Sequence, residues 1–162
     1  MTAVRMAGES DAIDLASLTA QLGYQVDPSE LKARLSRILV RSDQRFVVAE
    51  DQRHIVGWLH ALVLEYVEAN PFVVIGGLVV EKQSRRRGIG RLLMEDAEAW
   101  AKEQGCSVVR LWSSAGRTEA HRFYEQLGYK NIKTQHSFVK PLDPRGVREL
   151  NQFVPLIDIE VT

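Results

Sequence analysis

The chain has 162 residues, 45% of them hydrophobic and 26% charged, the size and balance of one globular domain long enough to bury a core. Lys plus Arg (21) equals Asp plus Glu (21), and net neutrality argues against a nucleic-acid partner bound through counterion release. Cys106 is the single cysteine, which excludes an internal disulfide and, with no zinc-type Cys/His spacing, leaves no metal expected. The start MTAVRMAGESDAIDL carries no apolar signal core, and no apolar run nears the ~20 residues of a membrane span. A cytoplasmic protein with no membrane partner is therefore expected.

In chain order, Thr2 to Met6 reads as a short strand. Ser10-Asp11 offer cap oxygens to a helix carrying Ile13, Leu15, Leu18 and Leu22 and ending at Gly23. Asp27-Pro28-Ser29-Glu30 starts a second helix with an apolar stripe of Leu31, Leu35, Ile38 and Leu39. Phe46 to Glu50 and His54 to Val67 read as a hairpin about Gln52-Arg53, and Asn70-Pro71 then punctuates. Phe72 to Glu81 is nearly all apolar, as a central strand would be. A helix from Arg87 to Gln104 sets Ile89, Leu92, Leu93, Ala97 and Trp100 on one face, with Gly105 as its stop. Ser107 to Ser113 alternates as a strand, and Thr118 to Leu127 repeats Ala120, Phe123, Tyr124 and Leu127 at helical spacing before Gly128. Tyr129 to Lys140 is a last strand. This order implies an α/β fold with helices on both faces of a mixed sheet. Phe153 to Val161 reads as an edge strand, here or on a partner in a homodimer, or as a disordered end.

The segment LVVEKQSRRRGIGRLL joins the apolar strand to the long helix through a basic, glycine-bearing loop. Helix-start N–H groups lack intrahelical partners and attract anions, and Gly88 and Gly90 let a ligand approach the backbone. The alternative is a solvated charge cluster. A P-loop and a dinucleotide fingerprint both fail on spacing. What does match is R-x-x-G-x-G, from Arg85 to Gly90.

With this loop, and with Ala120-His121-Arg122-Phe123-Tyr124-Glu125-Gln126-Leu127-Gly128-Tyr129 matching A-x-x-F-Y-x-x-x-G-[FY], the sequence resembles the GNAT superfamily of acyl-CoA-dependent N-acyltransferases. The resemblance is strong from Phe72 to about Lys140. It implies a mixed, mostly antiparallel central sheet flanked by helices, one N-acetyltransferase domain over residues 1–140, and a tail over 141–162. It further implies acetyl-CoA as acyl donor, with its pyrophosphate held by Arg85, Arg86, Arg87, Gly88, Ile89, Gly90 and Arg91. The backbone of Leu78, Val79 and Val80 would lie along the pantetheine.

Tyr124 then stands where a phenol assists departure of the CoA sulfur, although its apolar stripe also suits a core tyrosine. Where many members carry asparagine this chain has Arg117, which reads as a CoA-phosphate ligand or an exposed side chain. The Phe72 to Val80 strand has no carboxylate to act as base. His60, Glu65 and Glu68, on or after the preceding strand, are the candidate substitutes, though each reads more readily as a solvent-facing hairpin residue. Tyr24 lies between the first two helices, where the resemblance puts the acceptor site, and is the acceptor-binding candidate, although an ordinary helix-helix turn explains it equally well. His121 reads as a surface residue and Cys106 as a structural thiol. The expected reaction moves an acetyl group to a primary amine, of a small molecule in the leading reading. A protein or peptide acceptor, or a non-catalytic CoA-binding module, is the alternative.

Overall fold

The computed structural model describes residues 1–21 and 25–149. They divide into two compact units, Met1–Leu111 and a second beginning at Trp112. The first unit holds strands β1 (Ala3–Met6), β2 (Gln44–Asp51), β3 (His54–Tyr66), β4 (Ala69–Val80) and β5 (Val109–Arg110), with helices α1 (Ala12–Ala20), α2 (Pro28–Leu39) and α3 (Ile89–Glu103). The strands form one sheet in the order β1-β2-β3-β4-β5. β1 to β4 pair antiparallel, and β5 joins β4 in parallel. Among the described residues no helix is long and apolar enough to cross a membrane.

Local chemistry explains these boundaries. The Asp27 carboxylate caps α2 by accepting from the N–H groups of Ser29 (2.8 Å) and Glu30 (3.4 Å), with Pro28 in the first turn. Asp11 does not cap α1 with its side chain. Its carboxylate instead accepts from Gly8 N–H and from both Nη atoms of Arg5, so the helix is entered through a 3-10 turn, Glu9–Asp11. Gln52 and Arg53 both have positive φ (48° and 68°) between the paired Asp51 and His54, the twist a two-residue hairpin needs.

Alternation sorts the two faces of the sheet. Phe46, Val48 and Trp58 pack with Leu15 of α1 and Leu35 of α2. Gly57, next to Trp58 and hence on the opposite face, is approached by Ile89 and Leu93 of α3. Helices thus cover both faces. Arg45 of β2 clasps Asp96 of α3 through two bonds of 2.6 and 2.9 Å.

Several expectations are corrected. β4 begins at Ala69, so Asn70-Pro71 lie in its exposed first residues rather than before it, where a missing N–H is tolerated. Ile13 and Leu92 are exposed, each at the rim of its helix's apolar stripe. The strand expected over Ser107 to Ser113 shrinks to Val109–Arg110, since β4 pairs with it only through Val73 and Val74. Tyr129 to Lys140 forms no strand, and residues 130–140 are exposed. Its alternation is real, but a strand requires a partner edge, and among the described residues none is supplied. Residues 144–149 are helical, started by Asp143 accepting from the N–H groups of Arg145 and Gly146. Leu22, Gly23 and the Phe153 to Val161 segment lie outside the described residues.

The second unit contains α4 (Thr118–Gln126), closed by Gly128 at φ 93°. Tyr124 is buried there, edge-on to Phe123 (centroids 5.2 Å apart) and Tyr129 (6.0 Å).

Candidate active site

The first part of the site is the outer edge of β4. Against β3 the register runs His60↔Gly77 and then Ala61↔Ile75, which makes Gly76 an extra, bulged residue. β5 covers β4 only at Val73 and Val74. From Ile75 to Val80 that edge carries no strand among the described residues. Glu81 N–H bonds inward to Val56 O of β3 (2.8 Å), so ladder alternation turns the backbone groups of Leu78 and Val80 outward and those of Val79 toward β3. Arg85 Nε donates to the outward Val80 O (3.1 Å).

The basic loop follows. After the 3-10 turn Lys82–Ser84, where buried Ser84 donates to Glu81, Arg86 takes a positive φ of 58° and Gly88 one of 81°. Gly88 is the N-cap of α3 with no side-chain cap, and no acidic residue occupies the first turn. A Cβ at Gly88 would meet nothing within 4 Å. The start of α3 is therefore an accessible backbone face with uncompensated N–H groups, chemistry that fits a diphosphate. Ile89 and Gly90 are buried beneath it, and Arg91 is exposed in the first turn. Arg87 is exposed but already paired, its Nη2 2.7 Å from Asp51 Oδ2. Asp51 and Glu81 also line a cavity of about 310 Å³, bounded by Asp14 of α1, by Gln21 just after that helix and by His54.

Among the hairpin candidates, Glu65 and Glu68 are exposed, whereas His60 is half-buried. Its Nε2 lies 2.9 Å from Gln44 Oε1, its ring leans on Phe46 at 5.4 Å, and burial lowers its imidazole to about 4. A Cβ at Gly76 would lie 3.9 Å from His60 Nδ1. The sequence reading missed both this pairing and the bulge. The doublet Gly76-Gly77 inside an apolar strand was the available signal.

In the second unit, Ser113 Oγ, Arg117 Nη1 and the Tyr124 hydroxyl are buried and, among the described residues, without a hydrogen-bond partner. Such atoms offer hydrogen-bonding capacity to a polar ligand. Burial pushes the Tyr124 phenol above its ordinary range, with the Arg117 charge acting the other way. His121 Nε2 contacts Ser114 O at 3.0 Å, and Cys106 is buried. Among the described residues no group of His, Cys, Asp or Glu is arranged for a metal. Tyr24 lies outside the described residues.

Comparison with known proteins agrees with this architecture. The profile of the acetyltransferase (GNAT) family matches residues 12–129. The chain is similar to aminoglycoside N(6')-acetyltransferase type 1 of Acinetobacter haemolyticus, at 24% identity over 86% of this chain and 99% of that one. It is 31% identical to an uncharacterised N-acetyltransferase of Chlorobaculum tepidum, over 83% of this chain and 79% of the relative. Among solved structures, an aminoglycoside N-acetyltransferase in complex with CoA superposes with a TM-score of 0.78, covering 86% of this chain and 95% of that one at 19% identity. The chain belongs to the GNAT family and is an acetyl-CoA-dependent N-acetyltransferase.

Proposed function

We propose that this enzyme moves the acetyl group of acetyl-CoA to a primary amine of a small molecule by direct attack, using one domain over residues 1–140. The observation that carries the donor half is the open β4 edge leading to the uncapped start of α3. In this reading Leu78 and Val80 offer outward N–H and C=O groups to the pantetheine amides, while Val79 stays a partner of β3. The N–H groups at Ile89, Gly90 and Arg91, with the Arg85, Arg86, Arg87 and Arg91 side chains about them, hold the pyrophosphate. Arg117 takes a further polar or phosphate group.

When bound, acetyl-CoA supplies a thioester whose carbonyl carbon accepts the amine and whose sulfur leaves as a thiolate. Tyr124 donates a hydrogen bond to that sulfur. Its burial keeps the phenol protonated, and passing the proton to a thiolate, whose thiol titrates near ~8.5, would run uphill. Charge stabilisation by a fixed donor is therefore its role rather than full proton transfer.

The acceptor half is supported by relatives whose names give an aminoglycoside as the acetylated molecule. The test incubates the protein and acetyl-CoA with a panel of small amines, aminoglycosides included, beside a lysine-bearing peptide. Thiol release and product mass are the readouts. At least one small amine should exceed the peptide in kcat/KM, and transfer to the peptide alone would refute the small-molecule acceptor.

A further inference from the structure

The bulge in β4 and the side chains beneath it form a small polar arrangement that the donor reading does not use. Gly76 and Gly77 lack side chains where their neighbours leave no room for one. A Cβ at Gly77 would lie 2.6 Å from Trp58 Cζ3, and one at Gly76 would lie 2.8 Å from Leu62 Cδ1. The two glycines thus bring bare backbone against a floor of β3 side chains, and Gly76 itself is exposed. The ring that borders this spot is His60.

Its tautomer follows from its partner. Gln44 Oε1, 2.9 Å from His60 Nε2, is a carbonyl oxygen and only accepts, so Nε2 carries the proton and Nδ1 presents a lone pair. Nδ1 stands 3.9 Å from the Cβ position of Gly76, and among the described residues it has no hydrogen-bond partner. Phe46, stacked on Trp58 and in contact with His60, holds the ring in place. The imidazole titrates at about 4 and stays neutral under physiological conditions.

We propose that His60 Nδ1 is the hydrogen-bond acceptor that holds the attacking amine at the Gly76 bulge. The role rests on the donor reading above, in which the pantetheine lies along the open β4 edge at Leu78 and Val80 with the diphosphate at α3, so that the thioester falls toward the Gly76 end of the strand. A neutral primary amine has two N–H groups and one lone pair. Giving one N–H to Nδ1 fixes the nitrogen while its lone pair stays available to form the C–N bond as the C–S bond breaks. His60 takes no proton in this scheme; the amine proton leaves to solvent. Gln44 is the positioning residue, since it fixes which ring nitrogen accepts.

The test compares His60→Phe, His60→Asn and His60→Gln with the parent. Phe keeps the ring against Phe46 and removes both nitrogens. The Asn carbonyl reaches the Nδ1 position, and that of Gln overshoots it. H60F should lower kcat/KM for the amine by about tenfold, the worth of one hydrogen bond, with the KM for acetyl-CoA and the thermal shift it induces unchanged. H60N should recover most of that loss and H60Q little of it. An H60F enzyme within twofold of the parent overturns the role of His60 while leaving the donor site intact. Should H60F fail to fold, equal activity of H60N and H60Q overturns it. A parent that neither binds acetyl-CoA nor turns over overturns the donor reading, and this role with it.

Discussion

Arg87 Nη2 lies 2.7 Å from Asp51 Oδ2, joining the basic loop before α3 to the turn between β2 and β3. Arg87 holds the Asp51 carboxyl below its usual range, so its charge is already answered within the protein. Arg86 and Arg91, exposed like Arg87, have no ion-pair partner among the described residues. Arg86, Arg87 and Arg91 therefore differ in what they can offer a phosphate. Arg86→Ala and Arg91→Ala should each weaken CoA binding by about tenfold, the scale of a charged hydrogen bond. Arg87→Ala should weaken it less. Calorimetric titration with CoA decides this, and an Arg87→Ala loss exceeding the other two would show that Arg87 leaves Asp51 for the ligand.

Features set by neighbouring residues were legible in the sequence. Asp27-Pro28 announces α2 because a cap acts within one turn, and the R-x-x-G-x-G spacing marks the α3 start because strand, loop and helix are contiguous. What needed the structure depends on register between distant strands. The bulge at Gly76 exists only relative to β3, and Gln44 reaches His60 across the β2–β3 pairing. The same limit explains the overreading of Tyr129 to Lys140, whose alternation gives the face a strand would bury but not the edge it would bond.

Gly88 and Gly105 flank α3 with positive φ of 81° and 73°, and a Cβ at either would enter open space. A side chain at each thus meets the same backbone strain, on the order of 1 kcal/mol. Gly88→Val and Gly105→Val should both lower the melting temperature by a few degrees. Only Gly88→Val should also lose the stabilisation by CoA, which for a ligand at 100 times its Kd is about 2.7 kcal/mol. Melting curves with and without CoA separate the two effects, and equal CoA responses would place the diphosphate elsewhere.

His60 gives stability a dependence on acid. Burial lowers its folded value to about 4 from an ordinary 6.5, so between those values the unfolded chain binds a proton that the folded chain does not. Stability should therefore be full above pH 6.5 and fall as pH drops through that window, by up to about 3 kcal/mol. Asp11, held low chiefly by its hydrogen bond to Arg5, acts with the same sign only below the ordinary carboxylate range. Denaturant titrations from pH 7 to 4 should show the fall in the parent and a flatter profile in His60→Asn. Parallel profiles would assign the acid sensitivity to other groups.

Tyr124 separates stability from turnover. Its hydroxyl is buried and without a partner among the described residues, so Tyr124→Phe removes a polar atom unsatisfied there and keeps the ring against Phe123 and Tyr129. An ordinary core tyrosine would lose a hydrogen bond and about 1 kcal/mol on that change. Here the free protein should instead be as stable as the parent or more stable, by up to about 1 kcal/mol. If the phenol stabilises the departing sulfur, kcat should meanwhile fall roughly 10- to 100-fold, since a donor present for the thiolate acts on the transition state more than on the bound thioester. The KM for acetyl-CoA should change little. Melting curves and steady-state kinetics on the two proteins read these opposite signs together. A Phe variant with gained stability and unaltered kcat would leave the hydroxyl a packing defect, and positioning of the amine would then carry the rate.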